Sequence, residues 1–221
     1  MANYHIRGGL GTQIISVMMA YAMAIENKET VDTLYFNYGN YFNPLTKDIN
    51  IWFIDDVLYF KTKKPKVVSI VGQGKVDISS TNNIELLAKN IEEVRKNLRP
   101  RLYFQTRKTL LHMRGLDRAL VSPDTYQKFQ QNERPDLVLT DDDKLEGQTG
   151  DPIKDWRKVL TARRVIGGYS NYTISCALLN PKQTLEIIGK EYSWGGDDKL
   201  WGAVNKLVDC FSNIRYYNES R

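Results

Sequence analysis

The chain has 221 residues, of which 42% are hydrophobic and 26% charged, so it is long enough for one large globular domain or two small ones. No apolar run reaches the roughly 18 residues that cross a bilayer, and the run from Gln13 to Ile25 lacks a basic leader, which favours a core helix over a signal peptide. Two cysteines are too few for a disulfide framework, and the net charge of +5 favours an anionic partner or a solvated basic surface. We therefore expect a cytoplasmic protein with no membrane partner.

The first hundred residues alternate between predicted strands and helices. A short strand, Asn3 to Arg7, precedes a glycine turn and a helix over the apolar run from Ile14 to Ile25. Further strands are predicted at 33–36 and 66–71. The spacing of the apolar residues in 51–60 is typical of neither a helix nor a strand. A helix is predicted over 84–98, where apolar residues recur at helical spacing, and Pro100 ends it.

The second half continues this alternation. Strands are predicted at 109–113, 137–140, 164–166 and 184–188, and helices at 156–160, 170–179 and 200–211. Ser122 followed by Pro123 is typical of a helix start, with serine as the N-cap and proline at the first helical position. Alternating strands and helices indicate parallel sheets and an α/β fold. We predict two small Rossmann-like halves, residues 1–100 and 101–221, with a ligand cleft between them.

Glycines follow the first predicted strand, in the segment Arg7-Gly8-Gly9-Leu10-Gly11-Thr12-Gln13. Glycines let the backbone approach a ligand closely, and the free N–H groups at the start of the next helix suit an anion. The spacing is not that of the dinucleotide-binding fingerprint. A ligand site and a purely structural tight turn are both open for this segment.

A histidine and an arginine lie where the strand predicted at 109–113 ends, in His112-Met113-Arg114-Gly115-Leu116-Asp117-Arg118. The guanidinium of Arg114 offers a fork of donors that matches phosphate oxygens. His112 has two interpretations, a ligand of a base or ribose and a histidine that is satisfied within the fold.

Two more polar segments follow predicted strands. The segment Thr140-Asp141-Asp142-Asp143 has three interpretations. Its carboxylates would hold a divalent metal against a diphosphate or accept hydrogen bonds from a nucleobase, or they are acidic residues at the N-terminus of a helix. The hydroxyls of Gly168-Tyr169-Ser170-Asn171-Tyr172-Thr173 suit a phosphate at a helix start, and N-capping by Ser170 is the structural alternative.

These four segments, in this order, resemble those of the α-1,2-fucosyltransferases in the fucosyltransferase superfamily. Members open with G-G-L-G-N-Q, to which the segment Gly8 to Gln13 is similar. Their H-x-R-R-G-D and S-P-x-Y-Y segments are similar to His112–Asp117 and Ser122–Tyr126. Their S-D-D is similar to Thr140-Asp141-Asp142, and their N-S-S-F-S-W-W-A-A aligns without gaps with Tyr169–Ala177.

The chain departs from the family at four places: Thr12 replaces asparagine, Gly115 the second arginine, and Ile174 and Ser175 the two tryptophans. The resemblance implies a GT-B-like fold and an inverting glycosyltransferase that uses a nucleotide sugar and requires no metal or other cofactor. It implies that residues 101–221 bind the nucleotide sugar and that residues 1–100 bind the acceptor. A GDP-sugar is the family expectation and a UDP-sugar the second choice.

The resemblance also implies residue roles. Arg114 would bind the diphosphate, and His112 with Asp141 or Asp142 would contact the nucleoside. The phosphates of the donor would be surrounded by Ser170, Asn171, Tyr172 and Thr173. The cleft that holds the donor would be faced from the other half by Gly8, Gly9, Gly11 and Thr12.

Catalysis would stabilise the charge that grows on the leaving diphosphate. Arg114, the N–H groups after Ser170 and Arg7 are the candidates, and losing one such donor typically costs about 10²–10³ in rate. Asp117 and Asp32 are candidates for the base that deprotonates the acceptor hydroxyl.

Two acceptors are considered: a glycan, which is the usual acceptor in the family, and DNA. Lys61, Lys63, Lys64 and Lys66 form a candidate cluster for tracking phosphates, and glycosylation of a hydroxymethylated DNA base, a phage-type DNA modification, is the corresponding reaction. Two further alternatives are a non-catalytic nucleotide- or DNA-binding module and a metal-dependent GT-A-like transferase that uses the Asp141 run.

Overall fold

The computed structural model is an α/β protein with parallel sheets, and it describes residues 4–6, 8–37, 52–70, 81–101, 104–113, 121–140, 151–192 and 198–218. The chain divides into two compact units, an N-terminal unit (Met1–Leu102) and a C-terminal unit (Tyr103–Arg221). None of the helices in the described ranges combines the length and apolar character that crossing a bilayer requires.

The N-terminal unit is built on a three-stranded parallel sheet. Its strand order is β1-β2-β4, and a separate antiparallel pair is formed by β3 and β5. The strands are β1 (Tyr4–Ile6), β2 (Thr33–Asn37), β3 (Leu58–Phe60), β4 (Lys66–Ile70) and β5 (Leu98–Pro100), and the helices are α1 (Leu10–Glu26), α2 (Ile54–Val57) and α3 (Thr81–Asn97).

Helix α1 is the core of this unit. Its residues are apolar around the whole helix, so nearly all of its surface is buried, against β1 and α3. By contrast, α3 exposes one charged face, on which Arg95 donates to Glu92 at 2.6 Å and Lys96 to Glu93 at 3.0 Å. These i,i+3 pairs support the exposed side while the apolar side packs on α1.

The C-terminal unit is a five-stranded sheet in which every neighbouring pair is parallel. Its strands are β6 (Thr109–Met113), β7 (Leu137–Thr140), β8 (Arg164–Gly167), β9 (Thr184–Ile187) and β10 (Ile214–Tyr216). Its helices are α4 (Pro123–Glu133), α5 (Pro152–Thr161), α6 (Asn171–Leu179) and α7 (Asp198–Cys210), with a 3₁₀ turn at Lys190–Tyr192.

The order of these strands is β7-β6-β8-β9-β10, which is 2-1-3-4-5 when they are counted within the unit. This is an order of doubly wound sheets, and it reverses direction between the first and third strands, here β6 and β8. Ligands of such sheets bind beside this reversal, at the carboxyl ends of the strands. The topology therefore directs attention to the residues that end β6 and β8.

Most predicted elements are present, and the α/β class is confirmed. The ambiguous stretch 51–60 contains α2 and β3, and the helix predicted to reach Leu98 ends at Asn97, because Leu98 already pairs with Phe60 in the β3–β5 ladder. Ser122 caps α4 as predicted, since its Oγ accepts from the Thr125 N–H at 3.1 Å. The arrangement of the two units as a GT-B-like pair stays a prediction.

Candidate functional site

Strands β6 and β8 bring two predicted segments together. His112 lies directly opposite Gly167 in the parallel register, so the first residue of the histidine segment lies beside the start of the Gly168–Thr173 segment. The His112 side chain is buried, and its ring stacks on Tyr172 with a centroid distance of 5.6 Å and an interplanar angle of 19°. Two residues 60 positions apart in the sequence thus become neighbours at the strand-order reversal.

Packing explains both the glycine that ends β8 and the glycine that follows it. A Cβ on Gly167 would lie 2.8 Å from the backbone oxygen of His112, a separation that real Cβ atoms do not show. A Cβ on Gly168 would lie 3.1 Å from the Tyr126 hydroxyl. The glycines therefore permit close approach of β8 to β6 and of the following turn to α4.

The start of α6 is capped from within. The Ser170 Oγ accepts from the Tyr172 N–H at 3.3 Å, which confirms the N-cap interpretation, and the Thr173 hydroxyl donates to the Ser170 carbonyl at 3.1 Å. Both side chains are buried, whereas Asn171 is half-buried and its Oδ1 accepts from the Tyr169 hydroxyl at 3.4 Å. The helix start presents N–H groups and the positive end of a dipole, which is chemistry that suits an anion.

Tyr172 is held as a neutral phenol. Its hydroxyl donates to the carbonyl of Pro152 in α5. Burial raises the pKa of Tyr172 well above its usual value, and the negative charges of Asp155 and Asp151 add to the effect. The ring that stacks on His112 is therefore uncharged and fixed in orientation by α5.

Helix α5 also contacts the same face of α6 one turn further along. The Trp156 Nε1–H donates to the Ser175 hydroxyl at 3.1 Å, and that hydroxyl donates to the Tyr172 carbonyl at 2.8 Å. Ile174 and Ser175 are both buried, and Ser175 links α6 to α5 through the Trp156 indole.

The glycine segment of the N-terminal unit forms a turn between β1 and α1. Gly8 has φ of +81°, a conformation that glycine adopts without strain, and Gly9 is the N-cap of α1 with no side-chain hydrogen bond. The Gln13 amide donates to the Gly8 carbonyl at 2.9 Å, and its oxygen accepts from the Phe53 N–H at 3.1 Å. Gly11 is buried inside α1, and Thr12 is half-buried.

Five predicted site residues lie outside the described residues: Arg7, Arg114, Asp117, Asp141 and Asp142. In the sequence, Arg114 directly follows the last residue of β6 and Asp141 the last residue of β7. Their assigned roles stay predictions.

Sequence reasoning missed a cleft of about 490 Å³ on the C-terminal unit. It is lined by the 3₁₀ turn after β9, the N-terminal part of α7 and the last residue of β10: Lys190, Glu191, Asp198, Trp201, Gly202, Asn205 and Tyr216. The Tyr216 hydroxyl donates to Asn205 Oδ1 at 2.5 Å. Burial raises the pKa of Tyr216, and Glu191 and Asp209 add to the rise, so the hydroxyl stays protonated at neutral pH. The one sequence signal was a glycine within a helical pattern.

The antiparallel pair of the N-terminal unit and the segment that follows β3 expose a tyrosine and several basic residues. Tyr59 is 54% exposed and lies opposite the exposed Arg99 in the β3–β5 ladder. The segment after β3 adds four exposed lysines, of which Lys64 pairs with Asp55 at 2.6 Å. We define this basic surface as Tyr59, Lys61, Lys63, Lys64, Lys66 and Arg99.

The resemblance to the fucosyltransferases stays a prediction. In the C-terminal unit, the structure brings His112 next to the Gly168–Thr173 segment. No protein-family model, no curated protein and no solved structure matches this chain.

Proposed function

We propose that this protein is an inverting, metal-independent glycosyltransferase that moves a sugar from a nucleoside-diphosphate sugar to an acceptor hydroxyl in the cytoplasm. The observation that carries the proposal is the His112–Tyr172 stack beside the start of α6, at the strand-order reversal where doubly wound sheets bind their ligands. The order of the motifs supports a sugar nucleotide as that ligand, with a GDP-sugar favoured and a UDP-sugar second.

The diphosphate would lie at the N-terminus of α6, where backbone N–H groups and the helix dipole stabilise negative charge. Arg114 would add a bidentate contact. His112, with Asp141 or Asp142, would contact the nucleoside. Donors already oriented in this way stabilise the leaving group as its charge develops, which is the largest catalytic effect available without a metal.

In the reaction, the acceptor oxygen forms a bond to the anomeric carbon while the bond from that carbon to the diphosphate oxygen breaks. The acceptor proton passes to a base, for which Asp117 and Asp32 are the candidates. Asp32 is exposed, and its Oδ2 accepts from the Thr30 hydroxyl at 3.1 Å. The released products are the glycosylated acceptor and the nucleoside diphosphate.

The basic surface favours DNA over a glycan as the acceptor. Lysine side chains attract a phosphate backbone, and an exposed aromatic ring offers a platform on which a base stacks. Tyr59 and Arg99 combine both features on adjacent strands. A hydroxymethylated base, unstacked from its strand, would then present the acceptor hydroxyl.

A thermal-shift panel with GDP, UDP, ADP and CMP, with and without magnesium, tests the proposed donor site. A ligand that binds only the folded state stabilises it by about 2.7 kcal/mol at a hundredfold excess over its Kd. We expect one diphosphate to raise the Tm without magnesium, and Arg114→Ala to abolish that rise. Lys128→Ala, which removes an exposed cation from α4, is the matched control and should respond like the wild type. A panel with no shift for any nucleotide contradicts the proposal.

A further inference from the structure

The cleft lined by Trp201 lies at the same edge of the C-terminal sheet as the proposed donor site. All five strands are parallel, so the 3₁₀ turn after β9 and the end of β10 share an edge with the ends of β6 and β8. Strand β9 is the neighbour of β8, and β10 comes next. At a strand spacing of about 4.8 Å, the end of β9 lies one strand and the end of β10 two strands away from the end of β8.

The side chains of the cleft suit a neutral ligand that carries hydroxyl groups. Glu191 and Asp198 offer carboxylate acceptors, Lys190 offers donors, and Asn205 and Tyr216 offer groups that both donate and accept. Lys190 also pairs with Asp198 at 3.2 Å. One cation against two carboxylates leaves the lining with a net negative charge, which disfavours a phosphate. Carboxylates and amides beside aromatic rings are instead well suited to the hydroxyls and C–H faces of a sugar ring.

Gly202 keeps the cleft open. It lies inside α7, where glycine is less favourable than alanine. A Cβ at this position would meet nothing within 4 Å, so packing does not require the glycine, in contrast to Gly167. The space in front of Gly202 belongs to the cleft, and a larger side chain would fill it.

Trp201 contributes a packed aromatic ring to the cleft wall. The side chain is only 5% exposed, so its position is fixed by the surrounding core.

We infer that this cleft binds a saccharide ring. The inference rests on the proposed function for its source: the ring is either the sugar of the donor, whose diphosphate lies at α6, or part of a free glycan. Both sources present the same hydroxyl and C–H chemistry to Trp201, Asn205 and Tyr216. Gly202 determines how much of the ring enters.

Two substitutions of one residue test this inference. Gly202→Phe should fill the cleft, and Gly202→Ala should leave it open while favouring the helix. The first part of the experiment tests whether the sugar of the donor enters the cleft. Titration calorimetry compares the Kd of GDP with that of GDP-fucose, and the Kd of UDP with that of UDP-glucose. We expect the cognate sugar conjugate to bind about tenfold tighter than its diphosphate in the wild type and in Gly202→Ala, and this advantage to vanish in Gly202→Phe with diphosphate affinity unchanged.

The second arm uses lactose, titrated alone, as the free-saccharide probe. If no nucleotide binds, the proposed function fails, but lactose binding that Gly202→Phe removes would still support a saccharide site. Tyr216→Phe, which removes one hydroxyl from the cleft, should weaken binding severalfold in whichever arm responds. Unchanged sugar affinity in Gly202→Phe, or no response to any sugar or conjugate, would overturn the inference.

Discussion

Ser170 caps the helix at whose start we propose that a phosphate binds. Its oxygen accepts from the Tyr172 N–H, which satisfies one of the donors that α6 leaves free at its start. Further backbone N–H groups at the start of α6 have no partner within the helix, so capping by Ser170 and phosphate binding at α6 are compatible, and a substitution can separate them.

Ser170→Ala should lower the free energy of unfolding by about 1 kcal/mol, the usual effect of losing an N-cap. Ser170→Asp should restore the cap, because aspartate is an equally good N-cap residue. If a diphosphate binds at α6, the new carboxylate should repel it and weaken nucleotide binding at least about tenfold. Urea denaturation and nucleotide titration measure the two effects.

The same pair of substitutions at Ser122, the N-cap of α4, is the matched control. Ser122→Ala should lose similar stability, and Ser122→Asp should leave nucleotide affinity unchanged. Equal affinity in the wild type and in Ser170→Asp would show that no phosphate lies at the start of α6.

At the scale of elements, a charged network joins three strands to α4. Arg164 in β8 donates to Glu186 in β9 at 2.6 Å and to Glu133 at the end of α4 at 2.5 Å. Arg215 in β10 donates to the other oxygen of Glu186 at 2.5 Å, and Glu186 is only 3% exposed. The Tyr217 hydroxyl donates to Glu133. Two cations and two anions therefore balance within the sheet.

This network makes stability depend on pH. Burial by itself would raise the pKa of Glu133, but hydrogen bonds from Arg164 and Tyr217 outweigh it and hold that pKa below the usual 4.5. Because the folded pKa is lowered, the stabilisation is present at neutral pH and is lost as the pH falls below about 4.5 toward the folded value.

Glu133→Gln should therefore be less stable at pH 7 and should lose less stability than the wild type between pH 5 and the acid limit of the folded state. Denaturation midpoints across this range provide the measurement. Glu92→Gln, which removes an exposed partner of Arg95 on α3, is the control and should have little effect at pH 7. An identical acid profile in the wild type and Glu133→Gln would contradict this account of the network.

The same elements show what the sequence can and cannot predict. Strands such as 109–113 and 164–167 are apolar runs bounded by turn residues, so local patterns are sufficient for them. Strand β10 has three residues with Arg215 at its centre, and its place in the sheet depends on Glu186 of β9, which no local pattern shows. The strand predicted at 164–166 extends to Gly167, where the His112 backbone leaves no room for a Cβ.

The candidate site also has residues that the sequence predicts and an arrangement that it does not predict. The sequence predicts His112 and Tyr172 from separate motifs, but only the 2-1-3-4-5 strand order makes their segments neighbours. The cleft beside Gly202 carries no motif, because its lining comes from a turn, one helix and the end of an edge strand.

At the scale of the whole molecule, the basic surface groups five of the 31 lysine and arginine residues of the chain. Single-stranded DNA binding should weaken steeply with salt, and replacing Lys61, Lys63 and Lys66 by alanine should lower the slope of log K against log salt by about 2, at 0.7 per phosphate contact. Tyr59→Ala should weaken binding about tenfold through lost base stacking. Fluorescence anisotropy of a labelled oligonucleotide between 50 and 200 mM salt, on the order of the physiological range, measures both.

Phe104→Ala removes the other large hydrophobic side chain that is prominently exposed in the described ranges, at 69%, and is the matched control for Tyr59. It should leave DNA affinity unchanged. Binding that does not depend on salt would favour a glycan acceptor.

The most direct test of the central claim is the mass of the acceptor after incubation with GDP- and UDP-sugars in the presence of EDTA. The account predicts that an oligonucleotide with hydroxymethylated bases, or a glycan acceptor, gains the mass of one sugar and that one nucleoside diphosphate is released for each transfer. His112→Ala should slow this transfer at least about tenfold, in line with the loss of a substrate contact in the transition state. A protein that binds a nucleotide but adds no sugar to either acceptor, with or without metal, would be a binding module and would contradict the claim.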